Sequence, residues 1–262
     1  MLAGLLVLAA SRPGFEAPGV EIFKTACLIG HGTYCVNRTS ILMLMAGAIV
    51  IVLFLAAFAK PKLVPRGIQN MLESIVDFVR NGIALEVMGP SGLPWVPLLT
   101  TMFMFIFVNN IFGIIPGIQF PSTSRMAIPL FLAVLVWFLF NIAGVKSQGL
   151  RYFKEVAFPP GMPKAVYVLA TPIELVSTFI VRPLTLSVRL LANMIAGHLI
   201  LTIFFLGTAY LLGKPATIPF AIPAFVLAVF LVGFEVLVAV LQAYIFTILT
   251  AVYISLATHP EH

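Results

Sequence analysis

Thr185-Leu186-Ser187-Val188-Arg189-Leu190-Leu191-Ala192-Asn193-Met194-Ile195-Ala196-Gly197-His198-Leu199-Ile200-Leu201 is an apolar run with a single permanent charge, at Arg189. A guanidinium stays protonated at any accessible pH. Placing one at bilayer depth costs about 3 kcal/mol on insertion scales, and more in simulations. A charge that expensive points to function. The plainer alternative is a structural ion pair, with Glu235 as the acid.

The rest of the chain sets the environment. Of its 262 residues, 61% are hydrophobic and 9% charged, and the mean hydropathy is +1.12. That balance belongs to a polytopic membrane protein. A soluble domain of this length would need far more polar surface. The net charge of +6 therefore speaks to orientation in a membrane and does not call for a nucleic-acid partner.

Apolar runs over 41–59, 94–115 and 127–145 are each about the 20 residues needed to cross roughly 30 Å of hydrocarbon. Two further runs, 165–213 and 219–257, are too long for one perpendicular span. As a single helix the second would extend about 58 Å. Each is either two short spans or one tilted helix. Gly233 is a weak turn signal, and no Asn-Gly or Pro-Gly pair occurs in either run. The reading is two long tilted helices, joined around Gly213-Lys214-Pro215 as a hairpin.

Residues 67–89 follow another pattern. Ile68, Met71, Leu72, Ile75, Val76, Phe78, Val79 and Ile83 mark one helical face; Gln69, Asn70, Glu73, Asp77, Arg80 and Asn81 mark the other. Such a helix lies at the membrane surface. The predicted fold is thus all-α: about five transmembrane helices plus one amphipathic interfacial helix. An N-terminal tail (1–40) precedes the transmembrane ion-channel domain (41–257), and a short tail (258–262) follows it.

Lys60, Lys62 and Arg66 follow the first span, and Lys146, Arg151, Lys154 and Lys164 separate the third from the fourth. The positive-inside rule puts both loops in the cytoplasm of a plasma (cell inner) membrane protein. The N-terminus is then outside and the C-terminus inside. Met1–Ala10 is short and apolar without a basic leader, so it reads as a signal remnant or as a membrane-touching extension. Cys27 and Cys35 share the outside tail, where an oxidising compartment permits either a disulfide or two thiols. With His31 they make only three metal ligands, so no metal is implied. No cofactor is implied either. The absence of a phosphate loop, nucleophile elbow or zinc-helix motif argues against enzymatic chemistry by this chain alone.

Arg182, Thr185, Arg189, Asn193 and Gly197 recur at spacings of three and four, so they form one stripe, with His198 beside it. Glu235 and Gln242 are seven apart and share a face of the last helix. A fixed cation, titratable groups and amides are the parts of an ion pathway. For His198 alone a satisfied core histidine is the simpler reading; five such groups on two facing helices favour function. A secondary transporter with a midplane basic site for an anion would show repeats between the halves, and none is visible. A passive scaffold subunit of a respiratory complex would not need Arg189.

Arg182-Pro183-Leu184-Thr185-Leu186-Ser187-Val188-Arg189 through Gly197-His198 resembles the signature of subunit a of F-type ATP synthase. Two more stretches are similar to that family: Leu241-Gln242-Ala243-Tyr244-Ile245-Phe246 with Leu249–Ile254, and Asn109-Asn110-Ile111-Phe112-Gly113-Ile114-Ile115-Pro116. Their order and spacing agree over roughly residues 40–257. The resemblance implies that Arg189 faces the acidic residue of each passing c subunit. It implies that Asn193, His198, Glu235 and Gln242 line the outside half-channel or support the arginine, and that Glu174 belongs to the cytoplasmic exit. Leu191 stands where phenylalanine is usual, and Gly113 where some members carry an acid. The implied partners are the c-ring, b-type peripheral stalk subunits, the rest of the F1F0 complex and lipid. The implied role is non-catalytic proton translocation that drives ring rotation and ATP synthesis.

Overall fold

The computed structural model describes residues 27–29, 36–115, 125–149, 151–158, 164–213 and 217–258. Met1–Ala10, Cys35 and the Lys214-Pro215 connection lie outside them, and the proposed disulfide with them. Cys27–Ile29 (β1) and Val36–Asn37 (β2) pair as a short antiparallel ribbon. The remaining elements are helical, and the protein is an all-α, multi-pass membrane protein. Five helical stretches are long and apolar enough to cross a bilayer.

The first, α1 (Arg38–Phe58), is apolar on all sides, as a lipid-facing span is. The chain then turns through a basic loop to α2 (Ile68–Val79). Gln69 clamps the loop: its Nε2 donates to the Lys62 carbonyl (3.0 Å) and its Oε1 accepts from the Lys62 N–H (3.2 Å). The same Nε2 donates to Glu73 Oε1 at 2.8 Å. Gln69 is therefore buried, whereas Ile68, Met71 and Phe78 are exposed. This departs from the two-sided pattern read from sequence at Gln69; Asn70, Asp77, Arg80 and Asn81 of the polar face are exposed. A helix touching protein and lipid hides one polar residue that finds partners and shows apolar ones to hydrocarbon.

After α2, helical residues continue through a π-turn (Arg80–Leu85), a single α-turn (Glu86–Met88) and a 3-10 stretch (Gly89–Trp95) into α3 (Val96–Ile114). α2 and α3 are thus linked without an intervening non-helical loop. Gly89 has φ 62°, a backbone state that favours glycine. Then come α4 (Ala127–Gln148), the short α5 (Arg151–Ala157), α6 (Lys164–Val176), a second π-turn (Ser177–Val181), α7 (Arg182–Leu212) and α8 (Ile218–Thr258). Neither α7 nor α8 breaks, at Arg189 or at Gly233. The 41 residues of α8 amount to about 61 Å of rise, far more than a perpendicular crossing needs.

The second π-turn has a local cause. Pro183 has no N–H and its ring crowds the carbonyl four residues back. The ladder widens just before it, and the Arg182 N–H bonds the Ser177 carbonyl, five residues back.

The chain divides into two compact units. One comprises 1–46, 107–125 and 191–241; the other comprises 47–106, 126–190 and 242–262. The second holds the largest fully buried side chains, among them Phe140, Phe246, Leu72, Leu99 and Leu186. There the end of α8 is pinned: Gln148 Nε2 donates to the Ala257 carbonyl (3.0 Å) and Ser147 Oγ to that of Thr258 (3.2 Å). These carbonyls lack helical partners of their own. In the first unit, α8 exposes Phe220, Phe225, Val229, Phe230 and Phe234, a surface suited to hydrocarbon.

Candidate functional site

Two carboxylates lie in the long apolar helices, and their surroundings are opposite. Glu235, in α8, belongs to the first unit and is 7% exposed. Neither of its oxygens has a hydrogen-bond partner among the described residues. It lies directly on Gly197 of α7: a Cβ added there would be 2.9 Å from Glu235 Oε1. Only glycine lets the carboxylate approach so closely. Close by in chain terms, Asn110 of α3 donates weakly from Nδ2 to the Ala239 carbonyl at 3.5 Å, and its buried Oδ1 has no partner among the described residues. Asn110 is thus brought to α8 one turn beyond Glu235. His198 is half-buried in this unit and Asn193 is exposed; both have interactions.

Glu174, in α6, belongs to the second unit. Its Oε1 accepts from Arg182 Nη2 at 3.3 Å and from Thr178 Oγ1 at 3.4 Å. The side chains of Arg182 and Glu174 are 21% and 38% exposed. The guanidinium also sits 5.4 Å from the ring centroid of Tyr253 in α8, an arrangement held by the ring quadrupole. Tyr152 of α5 lies close enough for the Arg182 charge to act on it. Burial pushes the Tyr152 hydroxyl up from its ordinary pKa, and Arg182 opposes that shift.

Arg189 and Gln242 are also in the second unit. Arg189 is exposed on α7, and Gln242 is 3% exposed on α8. Arg189 and Glu235, the partners of the ion-pair alternative, belong to different units. Among the described residues no group of three or more His, Cys, Asp or Glu is placed to hold a metal. Sequence reasoning did not find Tyr253 or Tyr152 as neighbours of the Arg182 site. Gly197 was read as one small residue of a stripe, and its contact with Glu235 appears only in three dimensions.

The fold and these groups define a class: an integral membrane protein whose bilayer-length helices carry carboxylates, amides and an exposed arginine. A family profile described as ATP synthase A chain matches residues 40–255. The chain is similar to ATP synthase subunit a of Frankia alni, 46% identical over 256 residues that cover 95% of this chain and 88% of the relative. It is 45% identical to the subunit a of a Parafrankia strain, over 95% of this chain and 86% of the relative. Against that of Rhodococcus erythropolis it is 39% identical, over 98% and 95%. The chain belongs to the ATP synthase subunit a family, the membrane (F0) sector of the F-type enzymes.

Proposed function

We propose that this chain provides two offset aqueous half-channels that carry protons to and from the carboxylates of a c-ring, and so drives ring rotation and ATP synthesis. The observation that carries this reading is the pair of carboxylates in different surroundings: Glu235 buried without a partner, Glu174 half-exposed and ion-paired. A buried carboxylate without a partner costs several kcal/mol unless it is protonated or wetted. Both conditions suit a group on a proton path.

In this reading Asn193, His198 and Glu235 serve the outside half-channel, and Glu174 the cytoplasmic one. Arg189 serves the ring. A c-subunit carboxylate in lipid must be neutral; opposite Arg189 the nearby cation favours its ionised form. Its proton leaves through one half-channel, and after the ring steps another arrives through the other. The fixed positive charge prevents protons from passing directly between the two. Because Arg189 is exposed on α7, it is available to a passing partner. Ala192 and Ala196, also exposed, allow a neighbouring helix to approach closely.

Gln242 is proposed to hold the guanidinium toward the ring. The register of the hairpin supports this. Gly197 is 16 residues before Gly213, and Glu235 is 16 after Pro219; those two touch. Arg189 and Gln242 are 24 and 23 residues from the same points, so an antiparallel pair continued in that register brings them level. The chain itself performs no covalent chemistry in this scheme. The c-ring, b-type stalk subunits and the remainder of the F1F0 complex are its partners, with the N-terminus outside and the C-terminus in the cytoplasm.

The test is Arg189→Ala in membrane vesicles. ATP synthesis is expected to fall to background while the complex still assembles, and Lys is expected to restore little, since an ammonium does not reproduce the planar fork. Normal synthesis by the Ala variant would overturn the reading.

A further inference from the structure

Arg182 is the cation of the stripe that the scheme above leaves without a task, and its two contacts lie within one compact unit. It donates to Glu174 and it stacks on Tyr253. Glu174 and Arg182 are eight residues apart. In a regular α-helix, with about 100° per residue, such residues lie about 80° apart around the axis and do not meet well. One π-turn takes up one extra residue, so that eight behave as about seven, and the offset falls to about 20°. The π-turn Ser177–Val181 lies between the two. It is there because Pro183 follows.

We infer that Arg182 is a positioning residue for the cytoplasmic proton exit. Braced on Tyr253 of α8, it holds the Glu174 carboxylate in place, and the π-turn enforced by Pro183 brings the two into register. This rests on the reading of Glu174 as the exit carboxylate. The pairing is suited to exchange with water. Arg182 and Thr178 both engage Oε1, and the Glu174 side chain keeps over a third of its surface exposed. Tyr253 joins α8 to the same point, so the carboxylate is fixed against both long helices of the hairpin.

The experiment compares Arg182→Gln, Arg182→Lys, Glu174→Gln and the double Arg182→Gln/Glu174→Gln in the complete F1F0 complex. Proton-driven ATP synthesis is read in vesicles, and subunit content and ATP hydrolysis report assembly. Arg182→Gln and Glu174→Gln are each expected to lower synthesis about tenfold, as for loss of a charge-assisted hydrogen bond. Arg182→Lys is expected to stay within about threefold of the unmodified complex, because one donor and the charge survive. The double variant is expected to be no worse than either single, as for residues acting through one another. Losses that multiply in the double variant would overturn the inference while leaving Glu174 as the exit group. Unmodified rates for Glu174→Gln would overturn both the inference and that assignment, with the Arg189 reading judged separately by its own variant. If Arg182→Gln fails to assemble, Tyr253→Leu carries the test. It is expected to lower synthesis about threefold alone and to add nothing to Glu174→Gln; an undiminished effect in that background would overturn the inference.

Discussion

Glu235 and Glu174 are both acids in helices built for hydrocarbon, yet the protein treats them differently. Glu235 lies on a bare glycine with no hydrogen-bond donor among the described residues. Glu174 sits at a half-exposed site beside a guanidinium and a threonine hydroxyl. An ion pair at a half-exposed site is modest in stability and fixes geometry. A buried acid without a partner is expensive and fixes nothing. The contrast teaches that these two positions do not share one task. On the proposed reading, the buried one gains and loses a proton and the half-exposed one hands it on.

The largest effect is expected at the first of these regions. His198→Ala and Glu235→Ala are each expected to lower proton-driven synthesis about a hundredfold, the range for losing a positioned acid–base group. Exchanging the two, Glu at 198 and His at 235, is expected to retain more activity than either single Ala variant, because the titratable pair is kept. Synthesis rates of these three variants and of the double His198→Ala/Glu235→Ala variant, normalised to assembled complex, decide it. An exchange variant as inactive as the double Ala variant would break the comparison, since Glu235 would then be needed for its identity and place alone.

A smaller effect separates the regions by stiffness. In the first unit a Cβ at Gly197 meets the far end of the flexible Glu235 side chain; in the second a Cβ at Gly144 would lie 2.6 Å from the Tyr152 ring. A carboxylate end moves aside cheaply, whereas a packed ring does not. Gly144→Ala is expected to destabilise the chain by about 1–3 kcal/mol, seen as lower thermal stability of the purified complex. Gly197→Ala is expected to leave that stability nearly unchanged and to slow synthesis a few-fold by displacing the carboxylate. The reverse pattern would mean that the Glu235 site is the rigid one.

The five spans were legible because hydrocarbon imposes a length and a composition, and both are local properties of sequence. The long unbroken α8 was legible for the same reason: no turn chemistry interrupts it. Gln69 was misplaced because its burial depends on the Lys62 backbone, which hydrophobic periodicity does not report. The π-turn before Pro183 was missed although its cause is visible, because a proline alone does not say whether a helix kinks, ends or widens. Arg189 stood out as a charge among apolar residues. Tyr253 did not, because an aromatic among many apolar neighbours gives no signal until Arg182 is seen above it.

The central claim is that the two carboxylates belong to routes opening on opposite sides of the membrane. It is tested most directly by Glu235→Cys and Glu174→Cys, each in a chain whose Cys27 and Cys35 are replaced by Ser, labelled with a membrane-impermeant thiol reagent. Cells expose the outer face and inverted vesicles the cytoplasmic face. Cysteine at 235 is expected to react from outside only, and cysteine at 174 from the cytoplasmic face only. Both positions reacting from the same side would contradict the account.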